Sequence, residues 1–190
     1  MSIKIIPTEL REVVIIEPKV FQDPRGFFLE TYHAGKYGEN GLPGEFVQDN
    51  HSHSSRGILR GLHYQLKQPQ GKMLYVVSGE IFDVAVDIRT GSPTFGRWVG
   101  VTLSAQNKRQ LYIPEGFAHG FYVCSERADV IYKCTDFYAP GDEYGVAWWD
   151  PEINIAWPLE GEPLVSAKDR QLLPLSQSPP ERLPEYEVKG

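Results

Sequence analysis

The strongest constraint on this chain is its punctuation: short apolar runs, each cut by Gly, Pro, Asp or Ser before it reaches helical length. Candidate strands read from these runs span 12–17, 27–32, 45–50, 57–65, 72–77, 80–89, 97–103, 109–113, 118–124, 128–138 and 144–149. Strands this close leave no room for alternating helices, so the pattern predicts an all-β antiparallel sandwich or barrel. The clearest alternation is Ile81 to Arg89, with Phe82, Val84, Val86 and Ile88 on one face. Asp83, Ala85, Asp87 and Arg89 occupy the other, because successive strand side chains point to opposite sides. Ser78-Gly79-Glu80 supplies a tight turn before it. Helical signal is confined to short stretches at 31–38 and 168–173. Beyond Leu173, Pro174, Pro179, Pro180 and Pro184 predict an extended run over the surface.

No linker or internal repeat divides the chain, and 190 residues suit one domain with a real core. We place a barrel core at about 45–150, N-terminal strands within 1–44 and a C-terminal extension over 151–190. The formal net charge of −6 argues against a broad nucleic-acid footprint while leaving room for a local basic pocket. Two cysteines, Cys124 and Cys134, are too few for a disulfide scaffold and read as free thiols in a reducing compartment. Near the N-terminus the apolar runs are soon broken by Pro7, Glu9, Arg11 and Glu12, so no signal-peptide core forms. Nor does any segment approach the roughly 20 apolar residues that span a bilayer. A soluble, cytoplasmic protein without a membrane or nucleic-acid partner is the expectation.

Chemistry centres on His63, in Arg60-Gly61-Leu62-His63-Tyr64-Gln65. A single histidine is most simply a hydrogen-bonded structural residue. A second signal is Ile113-Pro114-Glu115-Gly116-Phe117-Ala118-His119, where Pro and Gly set a turn before a strand carrying His119. This turn resembles the second motif of the cupin family, and Gly61–Gly79 resembles the first. The resemblance implies a cupin-type double-stranded β-helix, or jelly-roll, barrel. A metal-binding cupin would supply a second histidine where Gln65 stands and a glutamate near Lys72. An amide and a cationic lysine are poor substitutes, so no metal is expected.

A wider resemblance covers roughly residues 5–173. Its motifs are Asp23-Pro24-Arg25-Gly26-Phe27-Phe28-Leu29-Glu30, Gln48-Asp49-Asn50-His51-Ser52, the 56–65 run and the 79–89 strand. The 113–121 turn, Tyr132-Lys133-Cys134-Thr135-Asp136-Phe137-Tyr138 and Ser166-Ala167-Lys168-Asp169 complete the ordered set. Each alone is weak, but together they closely resemble the dTDP-4-dehydrorhamnose 3,5-epimerase family. The resemblance implies inversion of C3 and C5 of dTDP-4-dehydro-6-deoxy-D-glucose without a cofactor. Protons at these carbons are acidic because the C4 ketone accepts the resulting charge as an enolate. Such a site needs a base on one face, an acid on the other, and a cation or donor at the ketone oxygen.

By resemblance, His63 is the base, Asp169 orients it, Tyr132 is the opposite acid and Lys72 sits near the ketone oxygen. From sequence alone, Asp169 reads as a helix cap, Tyr132 as barrel packing and Lys72 as a solvated lysine after a turn. Tyr138 matches an aromatic that stacks on thymine, and Arg25, Arg60 and Lys168 match substrate contacts suited to a diphosphate. Glu30, Gln48, Asp49, Asn50, His119 and Glu143 fall in matching substrate-contacting segments. Alternation predicts Val130, Tyr132, Cys134, Asp136 and Tyr138 on one strand face. It also places Arg60 and His63 on opposite faces, unless Gly61 allows a bulge or the arginine curls around the edge. Asp83, opposite its strand's apolar row, is placed to orient His119. The family is dimeric with exchanged N-terminal segments, which implies that Arg25 and Glu30 serve the partner's pocket; the apolar run Val13–Ile16, read as an edge strand, suits such cover.

The rivals are a single-carbon epimerase or ketoisomerase on a related dTDP-4-keto-sugar, a metal-dependent cupin and a non-catalytic sugar-binding cupin. The pairing of His63 with Tyr132 favours the double epimerase over the first, and Gln65 with Lys72 disfavours the second. The four-residue constellation disfavours the third.

Overall fold

The apolar runs become thirteen strands in the computed structural model, which describes residues 3–187. The first four are β1 (Ile3–Pro7), β2 (Val14–Pro18), β3 (Val20–Asp23) and β4 (Gly26–Leu29). A short helix α1 (Ala34–Glu39) follows, then β5 (Gln48–Ser55), β6 (Leu59–Gln65), β7 (Lys72–Ser78) and β8 (Glu80–Asp87). The rest are β9 (Trp98–Ser104), β10 (Gln110–Ile113), β11 (Phe117–Val123), β12 (Arg127–Cys134) and β13 (Glu143–Gly145). Two antiparallel sheets, ordered β1-β2-β10-β7-β12-β5 and β13-β6-β11-β8-β9, face each other as a cupin-type jelly roll. β3 and β4 form a separate hairpin. The six-stranded sheet begins at Ile3, outside the 45–150 expected for the barrel core, because β2 pairs with β10 as well as β1. β1 and β3 were absent from the expected strands, their short runs being broken by Pro and charge.

Between the sheets lie Leu74, Leu111 and Val130 from one side and Ile81, Ala85, Leu103 and Val123 from the other, all buried. The alternating strand is buried on both faces. Its apolar row, Val84, Val86 and Ile88, looks out of the barrel onto Ile153, Leu175, Trp157 and Leu183 of the C-terminal segment. Each buried aliphatic side chain contributes roughly 1.5–3 kcal/mol, so this seam outweighs the few backbone hydrogen bonds of the segment. The expected extended tail therefore runs as a strap, with 3₁₀ turns at Leu175–Gln177 and Pro180–Arg182. The 168–173 helix shrinks to a 3₁₀ turn at Asp169–Gln171.

The strap is fastened near its end. Thr90 and Tyr186 exchange backbone bonds with the chain at 2.8 and 2.9 Å, Thr90 donating to Pro184 and Tyr186 donating to Thr90. Beside them the Arg89 guanidinium lies between the rings of Phe117 and Tyr186, at 4.5 and 4.9 Å. Asp87 closes this knot from the barrel side. No helix of the described residues is long and apolar enough to cross a membrane.

Candidate active site

A cavity of about 650 Å³ opens between the sheets, within the usual range for a small-molecule site. His63 on β6 lies on one wall and Tyr132 on β12 lies on the facing sheet, and both line it with Lys72 and His119. Arg60 lines the same cavity. Strand parity alone forbade this; the resolution is a bulge. His63 pairs with His119 and Arg60 with Phe121, so β6 carries one residue more than β11 over that interval. Gly61 makes the bulge possible. Its φ is +113°, and a Cβ there would sit 2.6 Å from both Gly120 Cα and the His119 carbonyl oxygen.

Asp169 sits 106 residues after His63 and accepts its Nε2–H at 2.6 Å. The Gly61 N–H also reaches Asp169, at 3.4 Å, and the Asp169 N–H donates to Ser166 Oγ at 3.0 Å. Burial would raise the Asp169 carboxyl, but the hydrogen bond and charge of His63 hold it below the usual range. Ser166-x-x-Asp169 is a turn-capping spacing that announces this loop locally, though not its target.

Burial, with Cys134 and Glu143 nearby, pushes the Tyr132 phenol up, so it keeps its proton at neutral pH. Burial pushes the Lys72 ammonium down, opposed by Cys134, Asp83 and Glu143. His119 donates Nε2–H to Asp83, whose oxygens lie 2.9 and 3.1 Å away and which is fully buried. The face that reads as polar in the sequence is thus the barrel interior. Around Lys168, Glu143 accepts from the lysine Nζ at 2.5 Å and from Tyr138 Oη at 3.2 Å. Burial would raise Glu143, but Lys168 and His63 hold it low.

A side branch of about 150 Å³ joins Gln48, Asn50 and Tyr138 to His63 and Tyr132. Tyr138 does not reach it through strand parity, since β12 ends at Cys134; a loop carries it there. Asp49 departs from expectation. Alternation on β5 turns it away from Gln48 and Asn50, and Lys133 Nζ holds it at 2.7 Å on the opposite face. Arg25 and Glu30 also lie away from the cavity within this chain, Arg25 on the hairpin against Asp23 and Glu30 against Lys36. Gln65, at the position of a second metal ligand, spends its amide on backbone groups of the 68 and 137–139 segments. Among the described residues no three His, Cys, Asp or Glu side chains are grouped to hold a metal ion.

Comparison with known proteins gives a family-model match over residues 7–177, described as dTDP-4-dehydrorhamnose 3,5-epimerase. A protein of that name from Pseudomonas aeruginosa is 60% identical over 161 residues, covering 84% of this chain and 89% of its own. Another from Neisseria gonorrhoeae is 59% identical over 87% of this chain, which spans only half of that relative's length. Among solved structures, a dTDP-6-deoxy-D-glucose-3,5-epimerase from Legionella pneumophila, in complex with dTDP-4-keto-L-rhamnose, superposes with a TM-score of 0.96. It is 53% identical, and the match covers 98% of this chain and 100% of that one.

Proposed function

This chain belongs to the dTDP-4-dehydrorhamnose 3,5-epimerase family, and we propose accordingly that it inverts C3 and C5 of dTDP-4-dehydro-6-deoxy-D-glucose to give dTDP-4-dehydro-β-L-rhamnose. The observation that carries this reading is a base and a phenol on facing walls of one cavity. With one ring nitrogen of His63 held by Asp169, the other removes a proton from the carbon beside the ketone, and the buried carboxylate stabilises the resulting imidazolium. Lys72 offsets the charge that develops on the ketone oxygen. Tyr132 returns a proton from the opposite face, which inverts the carbon. Arg60 and Lys168 supply positive charge for the diphosphate in a chain that is acidic overall.

Incubation with the substrate in deuterated water tests this reading. Deuterium at both C3 and C5 is the expected outcome. Label at one carbon would make the chain a single-carbon epimerase, and none would end the assignment. The lowered Lys72 gives a second expectation. If its charge is used, kcat falls as pH rises through a value below that of free lysine. In Lys72→Arg this alkaline limb should vanish, because guanidinium keeps its proton. An unchanged limb would remove Lys72 from that role.

We place the enzyme in the cytoplasm as a homodimer with exchanged N-terminal segments. The free thiols Cys124 and Cys134 suit a reducing compartment. Support for exchange is the β3–β4 hairpin, which leaves Phe27 and Phe28 58% and 63% exposed and points Arg25 into solvent. β5, bearing Gln48 and Asn50, is a sheet edge with no partner strand on its outer side among the described residues. Sedimentation should give twice the chain mass, and Phe27→Asp with Phe28→Asp should shift it to the monomer with loss of activity. A monomeric, fully active wild type would refute the exchange.

A further inference from the structure

Gln65 follows His63 by two residues, and its side chain is buried to 7% exposure. Burying an amide is costly unless each polar atom finds a partner. All of its do so through neighbouring loops: Nε2 donates to the carbonyls of Gln68 at 2.7 Å and Phe137 at 3.1 Å. Its Oε1 accepts the Ala139 N–H at 2.9 Å. Phe137 and Ala139 are the residues on either side of Tyr138. The Tyr138 N–H goes to Gln48 Oε1 at 2.8 Å, so three consecutive backbone units are pinned beyond the end of β12. No sheet ladder holds this segment. Yet the Tyr138 side chain stays half exposed, at 51%, on the rim of the branch that leaves the cavity.

We infer that Gln65 is a positioning residue that fixes the Tyr138 ring for the nucleobase, acting on nucleoside binding and not on the chemistry at His63. The inference rests on the function proposed above, in which Tyr138 stacks on thymine. None of the three Gln65 bonds is to His63. A loop fixed before binding loses less conformational freedom when the base stacks on it. In a metal-binding barrel a histidine here would face the ion; here the same inward position organises the loop that carries the aromatic platform.

The test compares wild type with Gln65→Met, which keeps length and removes all three bonds, using dTDP and inorganic pyrophosphate as separate probes. The dissociation constant for dTDP and the KM for the sugar nucleotide should both rise about tenfold, the scale of losing one base stack. The affinity for pyrophosphate and kcat should stay within about twofold. Unchanged dTDP affinity would overturn the inference, as would a loss of kcat at constant KM. Equal weakening of pyrophosphate would also overturn it, by marking a general collapse of the cleft. If the methionine variant does not fold, Gln65→Glu answers the same question, since it keeps the acceptor for Ala139 but loses both donors. A wild type that ignores dTDP would sink the proposed function itself, and this inference with it.

Discussion

His63→Asn should lower deuterium uptake at both C3 and C5 by about 10²–10⁴-fold, the range contributed by a positioned general base. Asparagine is too short to bring its amide to where Nε2 meets Asp169, so the carboxylate loses its 2.6 Å partner and a small fall in melting temperature should accompany the chemical loss. His63→Ala should give the same chemical loss with a small fall in stability. Asp169 would then retain the weaker Gly61 contact at 3.4 Å and lose the 2.6 Å one. A loss of uptake of about 10²-fold or more beside so small a change in melting separates the base from the fold. Uptake at wild-type rate in His63→Asn would show that another group takes the proton, and His119 with its Asp83 partner would be the first candidate.

Asp87→Ala should do the reverse. Asp87 accepts from the Arg89 N–H, Nε and Nη2 at 3.0, 2.9 and 2.8 Å, and from Ser92 and Thr94 hydroxyls at 2.6 Å each. Removing it leaves the Arg89 guanidinium, 10% exposed, with Glu12 at the rim as its remaining carboxylate partner among the described residues. Breaking a buried pair from one side costs about 3–5 kcal/mol, which for a chain of this size lowers the melting temperature by about 10 °C. Burial would raise the Asp87 carboxyl, but the Arg89, Ser92 and Thr94 hydrogen bonds hold it below its ordinary value. Its stabilisation is therefore complete above about pH 4 and is lost as pH falls through the lower folded value. Wild type should lose stability in that acid range more steeply than Asp87→Ala. Parallel acid limbs, or a melting change under about 2 °C, would show the knot to be idle. Turnover per folded molecule should be unaffected, because Asp87 is not part of the cavity wall.

The sequence made the strand pattern of this fold readable wherever period-two alternation was long, as in Ile81–Arg89. It could not say which face was inside. The apolar row turned outward because the C-terminal segment supplies a second core, and the polar row turned inward with Asp83. Alternation is a local property, whereas the choice of face depends on residues such as Leu175 and Leu183 far along the chain. The same limit explains the site. His63 was legible from its motif, but its shared cavity with Arg60 depends on a bulge at Gly61 that parity rules do not contain. Asp169 was legible only through family resemblance, since its local environment reads as a turn and its partner is 106 residues away. Asp49 shows the converse limit: its motif places it beside Gln48 and Asn50, while strand alternation turns its side chain to the opposite face within this chain, against Lys133.

The two-sided burial of β8 also fixes an order of events during synthesis. Val84, Val86 and Ile88 leave the ribosome long before Ile153, Leu175 and Leu183, which cover them. Until those residues emerge, the growing chain carries a bare apolar stripe on a sheet that is otherwise ready to pair, a state prone to association. A message truncated within the strap would leave that stripe uncovered for good. Such a fragment would contain the base, the phenol and the lysine of the site and still be a substrate for chaperones before it was an enzyme.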